Sequence, residues 1–222
     1  MRFFTTFSDA LNEMKRDVAE LGSKVHPQTM QDKQIADDPD FETMEYRNAI
    51  FTVTKPKIED LTPTQPWADA EFTERVQGIP PERGQAWKLR PEVWAEFAKR
   101  GLGYSYGERY GYSLSAVINE LEIHPDSRQT FLSVWDPEVD AGRFGVVRVP
   151  CSLGYWFNLR GGKLHVSYLQ RSADIITHFE NDIYLTHRLQ RYIAENIGAG
   201  IGHYTHWIGS LHAYRKDIAD IF

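Results

Sequence analysis

Arg160-Gly161-Gly162 separates two strand-like runs, Gly145–Leu159 and Lys163–Leu169, and no other feature constrains the fold more. Adjacent glycines between β-rich runs signal a tight hairpin, because the favoured two-residue turns need positive φ. The two runs are therefore expected to pair antiparallel. Gln129–Trp135 reads as a strand before them. After them, Asp182–Asn196 reads as a long helix, with Ile183, Leu189, Tyr192 and Ile193 among its apolar positions. Gly198-Ala-Gly-Ile-Gly202 ends it, as glycine does at helix C-termini. Thr205–Tyr214 reads as a final strand or extended segment. Hairpin-joined strands mixed with helices argue for an α+β fold rather than a doubly wound parallel sheet.

The first half is less regular. Phe7, Leu11, Met14, Val18 and Leu21 recur at helical spacing, which predicts a helix over residues 8–22 with Ser8 as its N-cap. Residues 26–45 are polar and acidic and read as a surface loop. Asn48–Thr54 alternates and reads as a strand. Residues 55–91 hold six of the eleven prolines and read as the least regular stretch. Short helices are expected over Glu92–Arg100 and Ser113–Glu122. With 222 residues and no repeat, one domain over residues 1–222 is expected.

A net charge of −6 argues against a nucleic-acid polymer as partner, which would favour a basic face. It leaves room for a mononucleotide, because a few arginines in one pocket suffice. Apolar runs fall short of the roughly 20 residues needed to span a membrane. The N-terminus lacks the apolar stretch of a signal peptide. One cysteine and no export signal point to a reducing cytoplasm.

That cysteine, Cys151, lies between Pro150 and Ser152-Leu-Gly154, an irregular point at or near a strand. A free cysteine is most often a small buried hydrophobe; a nearby arginine would instead favour the thiolate. Nineteen residues on stands Gln170-Arg171-Ser172-Ala173-Asp174. It is a solvated turn or an oxyanion cradle, with Arg171 as a forked donor and Ser172 adding a hydroxyl. Ionised Asp174 accepts, so it suits a ring N–H or a backbone amide. Arg128, in Pro125-Asp-Ser-Arg128, reads alone as a surface residue. His212 and Tyr214 share one face of an extended segment, able either to address one ligand or to meet water. His203 and His206 have i, i+3 spacing without a third metal partner, and no metal is expected.

Taken in order, these pieces resemble the thymidylate synthase superfamily from about Glu71 to Tyr214. The likeness rests on Pro150-Cys151, the step to Gln170-Arg-Ser-x-Asp174 and the terminal Gly-x-x-His-x-Tyr. Gly103-Tyr-Ser-Tyr106-Gly107, Pro125-Asp-Ser-Arg128 and Glu71–Gly78 add to it. The resemblance implies a mixed sheet packed with helices, with one sheet face used for homodimerisation. It implies a pyrimidine nucleoside monophosphate and methylenetetrahydrofolate, or a related pterin, as substrates. Cys151 would attack C6 of the base, and Glu71 would organise proton transfers. Arg171 and Ser172 would hold the phosphate, with Arg128 reaching over from a partner subunit. His212 and Tyr214 would bind the sugar 3′-hydroxyl. Gln170, Asp174 and Tyr106 would line the site.

The family's uracil-reading asparagine falls at Asp182. An ionised aspartate only accepts, which repels uracil O4 and attracts the cytosine amino group. The residue also suits a helix N-cap. With Gly209-Ser-Leu-His-x-Tyr214, where Ser210 replaces a usual aspartate, the pattern is similar to phage deoxycytidylate (dCMP) hydroxymethylases, implying the host cytoplasm for a phage-encoded chain. Departures are Gln129 for a second arginine, His178 for a glycine near the folate, a missing N-terminal phosphate arginine and a chain ending soon after Tyr214. The alternatives are methylation of dUMP or dCMP on the same fold and a catalytically silent nucleotide-binding relative. A cysteine hydrolase is a further one, without a hydrolase motif around Cys151.

Overall fold

The computed structural model describes residues 1–30, 33–80, 84–91, 104–142 and 148–221. The helix expected over Glu92–Arg100, residues 145–147 of the first hairpin run and Gly103 lie outside the described residues.

The strands are β1 (Arg2–Phe4), β2 (Ser23–Val25), β3 (Thr29–Met30), β4 (Lys33–Gln34), β5 (Thr43–Val53), β6 (Phe131–Ser133), β7 (Ser152–Arg160), β8 (Lys163–Asp174) and β9 (Gly200–Tyr214). The main helices are α1 (Phe7–Leu21), α2 (Trp67–Gln77), α3 (Tyr106–Ile123) and α4 (Phe179–Asn196). One mixed sheet runs in the order β1-β5-β9-β8-β7-β6, with β2 also paired to β5. β7 and β8 pair antiparallel through Arg160↔Lys163, and Gly161 and Gly162 sit at φ of 56° and 72°, as the diglycine predicts. β8 and β9 are parallel. Parallel neighbours need a long crossover, and α4 supplies it.

The register explains the two faces. Leu132, Tyr155, Tyr168, His206 and Phe51 form one row across the sheet, every member at most 1% exposed. This row faces the helices: Phe51 meets Phe179 of α4, while Tyr204 on the same face of β9 meets Phe7 of α1. The neighbouring row, Phe131–Trp156–Ser167–Thr205–Thr52–Phe3, points the other way. Its ends stay open, with Phe131, Trp156 and Phe3 exposed.

Several expectations need correction. The N-cap of α1 is Thr6, whose hydroxyl accepts from the Asp9 amide, so Ser8 lies inside the helix. Residues 26–45 are not a plain loop: they carry the β3–β4 hairpin and the start of β5. The proline-rich stretch contains α2. Its prolines flank the helix, with Pro66 before Trp67 and Gly78 closing it in the left-handed conformation, so they bound rather than break it. α3 begins at Tyr106, earlier than the expected Ser113, because Ser105 caps it and Gly111 absorbs a kink. β7 begins only at Ser152; Pro150 lacks the N–H a ladder needs. β8 runs on to Asp174 and β9 starts at Gly200.

Candidate active site

Cys151 immediately precedes β7, where the pairing with β8 slips between Ser152 and Gly154. Such an irregularity re-aims a side chain. Two phenols hold the turn: the Ser152 hydroxyl lies 2.9 Å from that of Tyr106 and 2.5 Å from that of Tyr168. Arg171 holds the other side. Its backbone N–H donates to the Cys151 carbonyl at 2.8 Å, and its guanidinium donates to Pro150 and Val149 carbonyls at 2.8 and 3.3 Å. Nη2 of the same guanidinium stands 3.9 Å from the Cys151 sulfur. The thiol is half-buried and opens onto a cavity of 580 Å³. It is therefore no core hydrophobe. It has a cation beside it and room for a ligand in front of it.

The cavity gathers Glu71, Tyr106, Cys151, Gln170, Arg171, Ser172, Asp174, Asp182, His212 and Tyr214 from six segments of the chain. Arg128 does not join them; it is exposed on the approach to edge strand β6. Gly209 lets β9 come close to the motif: a Cβ there would stand 2.8 Å from the Arg171 carbonyl oxygen. Asp174 Oδ1 accepts from the backbone amides of Ile176 and Thr177 at 3.0 and 3.1 Å, shaping the turn into α4. His212 and Tyr214 face the cavity together, their rings 5.1 Å apart. Burial lowers the His212 pKa and raises that of Tyr214, so both are neutral hydrogen-bonding groups.

Asp182 is not a helix cap. The N-cap position of α4 is His178, and Asp182 lies one turn inside. Its Oδ2 accepts from Gln170 Nε2 at 2.7 Å. Burial raises its pKa, opposed by that hydrogen bond and by the charges of His178 and Arg75. Part of its surface still meets the cavity, deep as it lies.

Several lining residues carry no sequence signal of their own. Glu45 accepts from the Ser210 hydroxyl at 2.5 Å, returning a carboxylate to the place where serine replaces the usual aspartate. Only the β5–β9 register, which sets Glu45 opposite His212, brings it there. Trp67, Arg90, Tyr104 and Arg148 also line the cavity, as does His178, which the sequence had already singled out. Arg148 lies over the Tyr104 ring at 4.2 Å, and burial pushes the Tyr104 phenol up to about 12. Arg75 was legible in principle, being four residues after Glu71 on α2. Its Nε donates to Glu71 Oε1 at 2.7 Å while its guanidinium covers the Tyr106 ring at 3.8 Å. Both partners are nearly buried. Arg75→Met is expected to cost about 3 kcal/mol in urea unfolding, because it strands a buried carboxylate.

A helix-backed mixed sheet thus presents one thiol, a guanidinium and several carboxylates to a single cavity. The chain belongs to the thymidylate synthase family, which it matches over residues 58–221. A putative thymidylate synthase of Methanocaldococcus jannaschii is 26% identical over 204 residues, 90% of this chain and 89% of that one. A putative thymidylate synthase of Methanosarcina barkeri is 32% identical over 120 residues, 51% of this chain and 54% of that one. The fold aligns with a thermostable thymidylate synthase A from Bacillus subtilis at a TM-score of 0.77 and 19% identity, covering 97% of this chain and 82% of that one. Membership makes the chain a one-carbon transferase of pyrimidine nucleotides, in a family that uses methylenetetrahydrofolate. Among the described residues no helix is long and apolar enough to cross a membrane.

Proposed function

We propose that the protein hydroxymethylates C5 of dCMP, taking carbon from methylenetetrahydrofolate and oxygen from water. One observation carries the choice of base. Asp182 stands where a uracil reader is expected, and the Gln170 N–H is aimed at it. A carboxylate held by a donor is itself an acceptor, which complements the cytosine N4 amino group and opposes uracil O4.

Methylenetetrahydrofolate supplies a carbon at the oxidation level of formaldehyde. The flat rings of Trp67 and Tyr104 and the cations Arg90 and Arg148 suit a pterin and its glutamate carboxylates. Cys151 adds as thiolate to C6, and the displaced π pair makes C5 nucleophilic. C5 takes the carbon and loses its proton to water ordered by Glu71, while tetrahydrofolate leaves with its C–N pair. Water then adds to the exocyclic methylene. The π pair closes the C5–C6 bond and expels the Cys151 thiolate. Arg171 and Ser172 bind the phosphate, His212 and Tyr214 the 3′-hydroxyl; Asp174, Tyr106 and Gln170 keep the walls in place.

The outward row Phe131–Trp156–Ser167–Thr205–Thr52–Phe3 supports a homodimer through this sheet face, its apolar ends being exposed. Arg128 lies three residues before Phe131, at the rim of that face, where a partner's phosphate site would meet it.

Purified protein incubated with methylenetetrahydrofolate and dCMP is expected to yield 5-hydroxymethyl-dCMP without dihydrofolate. Dihydrofolate absorbance growing with turnover would overturn the hydroxymethyl product, and release of the C5 proton from dUMP alone would overturn the choice of base. The names of the archaeal relatives favour a second reading, methylation of dUMP, and the same assay decides it. The half-buried thiol beside Arg171 speaks against a silent binding protein.

A further inference from the structure

His206 belongs to neither the thiol site nor the sugar site, yet it is fully buried and its ring is held on several sides. Tyr168 stacks on it at 4.3 Å and Phe179 at 5.4 Å, with Phe51 tilted against it at 5.5 Å. Both nitrogens are engaged. Nε2 lies 2.9 Å from Gln170 Oε1, and Nδ1 lies 3.3 Å from the Tyr204 hydroxyl. Burial keeps the ring neutral, so one nitrogen carries a proton and the other accepts.

An amide oxygen only accepts, so the proton sits on Nε2 and Tyr204 donates to Nδ1. The other end of Gln170 is then forced: Nε2 points at Asp182. Every donor in the row Tyr204, His206, Gln170 faces the carboxylate. The row can reverse only as a whole. A protonated Asp182 would donate to a flipped Gln170, whose N–H₂ would then require His206 as the Nδ1–H tautomer.

Building on the dCMP reading, we propose that His206 is a positioning residue for base choice. Its Nε2–H locks the Gln170 amide so that Asp182 meets the base as an acceptor. Without that donor the amide turns freely, and the acceptor character of Asp182 is no longer enforced.

Two measurements on the full chain test this. Two-bond ¹H–¹⁵N correlations of histidine-labelled protein, with His206 identified by its loss in His206→Phe, are expected to show the neutral Nε2–H tautomer. A Nδ1–H tautomer or an imidazolium would overturn the proposal. His206→Phe keeps a stacking ring and removes both nitrogens. Calorimetric Kd values for dCMP and dUMP are expected to show the preference for dCMP falling about tenfold, with His206→Gln restoring most of it through an amide donor. A folded His206→Phe protein whose preference stays within twofold of the wild type would sink the inference. If His206→Phe fails to fold, the tautomer in the wild type decides, with the assignment taken from His206→Gln. A wild-type protein that binds dUMP as well as dCMP would instead sink the base reading, and the tautomer would still test His206 alone.

Discussion

Cys151→Ser is expected to lower kcat/KM on the preferred nucleotide by about 10⁴-fold or more, while the Kd for that nucleotide changes less than about threefold. The substitution keeps the turn, because the contacts that shape it run from Arg171 to backbone carbonyls and from Tyr106 and Tyr168 to Ser152. What it removes is the atom that adds to C6. A serine hydroxyl beside Arg171 gains little, since its anion remains far costlier than a thiolate. Rapid-quench turnover and calorimetry separate the two effects. Mass spectrometry adds a covalent readout: wild-type protein is expected to trap 5-fluoro-dCMP with the folate, because fluorine cannot leave C5 as a proton does. Full turnover by the serine variant would remove the Cys151 thiolate from the mechanism.

Asp182→Asn is expected to shift the ratio of kcat/KM for dCMP over dUMP by about 10³-fold toward dUMP. Asparagine offers Gln170 the same acceptor oxygen and turns a donor amide toward the base, so uracil O4 gains a partner and the cytosine amine loses one. Competition between the two nucleotides in one vessel measures the ratio. The same variant carries a stability signature. Burial raises the Asp182 pKa in the folded chain. The native state therefore holds this proton to higher pH than the unfolded chain does. The group's contribution is most favourable below its unfolded pKa and is lost as pH rises through the folded value. Asparagine escapes that loss. Asp182→Asn should thus melt roughly 2–4 °C above wild type near pH 8, with the gap closing toward pH 4. A gain in stability from a site residue is what a carboxylate retained for recognition predicts.

Local chemistry was legible from the chain. The diglycine turn, the glycine after α4 and the apolar period of α1 each depend on a few adjacent residues, and each appears where expected. The element ends were less legible, for reasons the structure makes plain. α2 hid among prolines that turned out to lie at its borders. The first helix took Thr6 rather than Ser8 as its cap, because Thr6 and Asp9 form the local pair. Residues 26–45 looked like solvent-facing loop, but pairing of β2 with β5 draws this segment to the cavity, where Pro27, Met30 and Phe41 line it.

The sequence alone determined the ordered set of polar groups, from Glu71 through Cys151 and Gln170–Asp174 to His212 and Tyr214, because each motif is a short run whose spacing is covalent. Their convergence on one cavity, the Glu45–Ser210 pair and the donor row ending at Asp182 were decided by the tertiary structure. The physical reason is register. Which side chain of β5 meets which of β9, and which nitrogen of His206 meets Gln170, depends on how strands far apart in the chain are aligned. That alignment is set by burial of a whole face and not by any local run of residues.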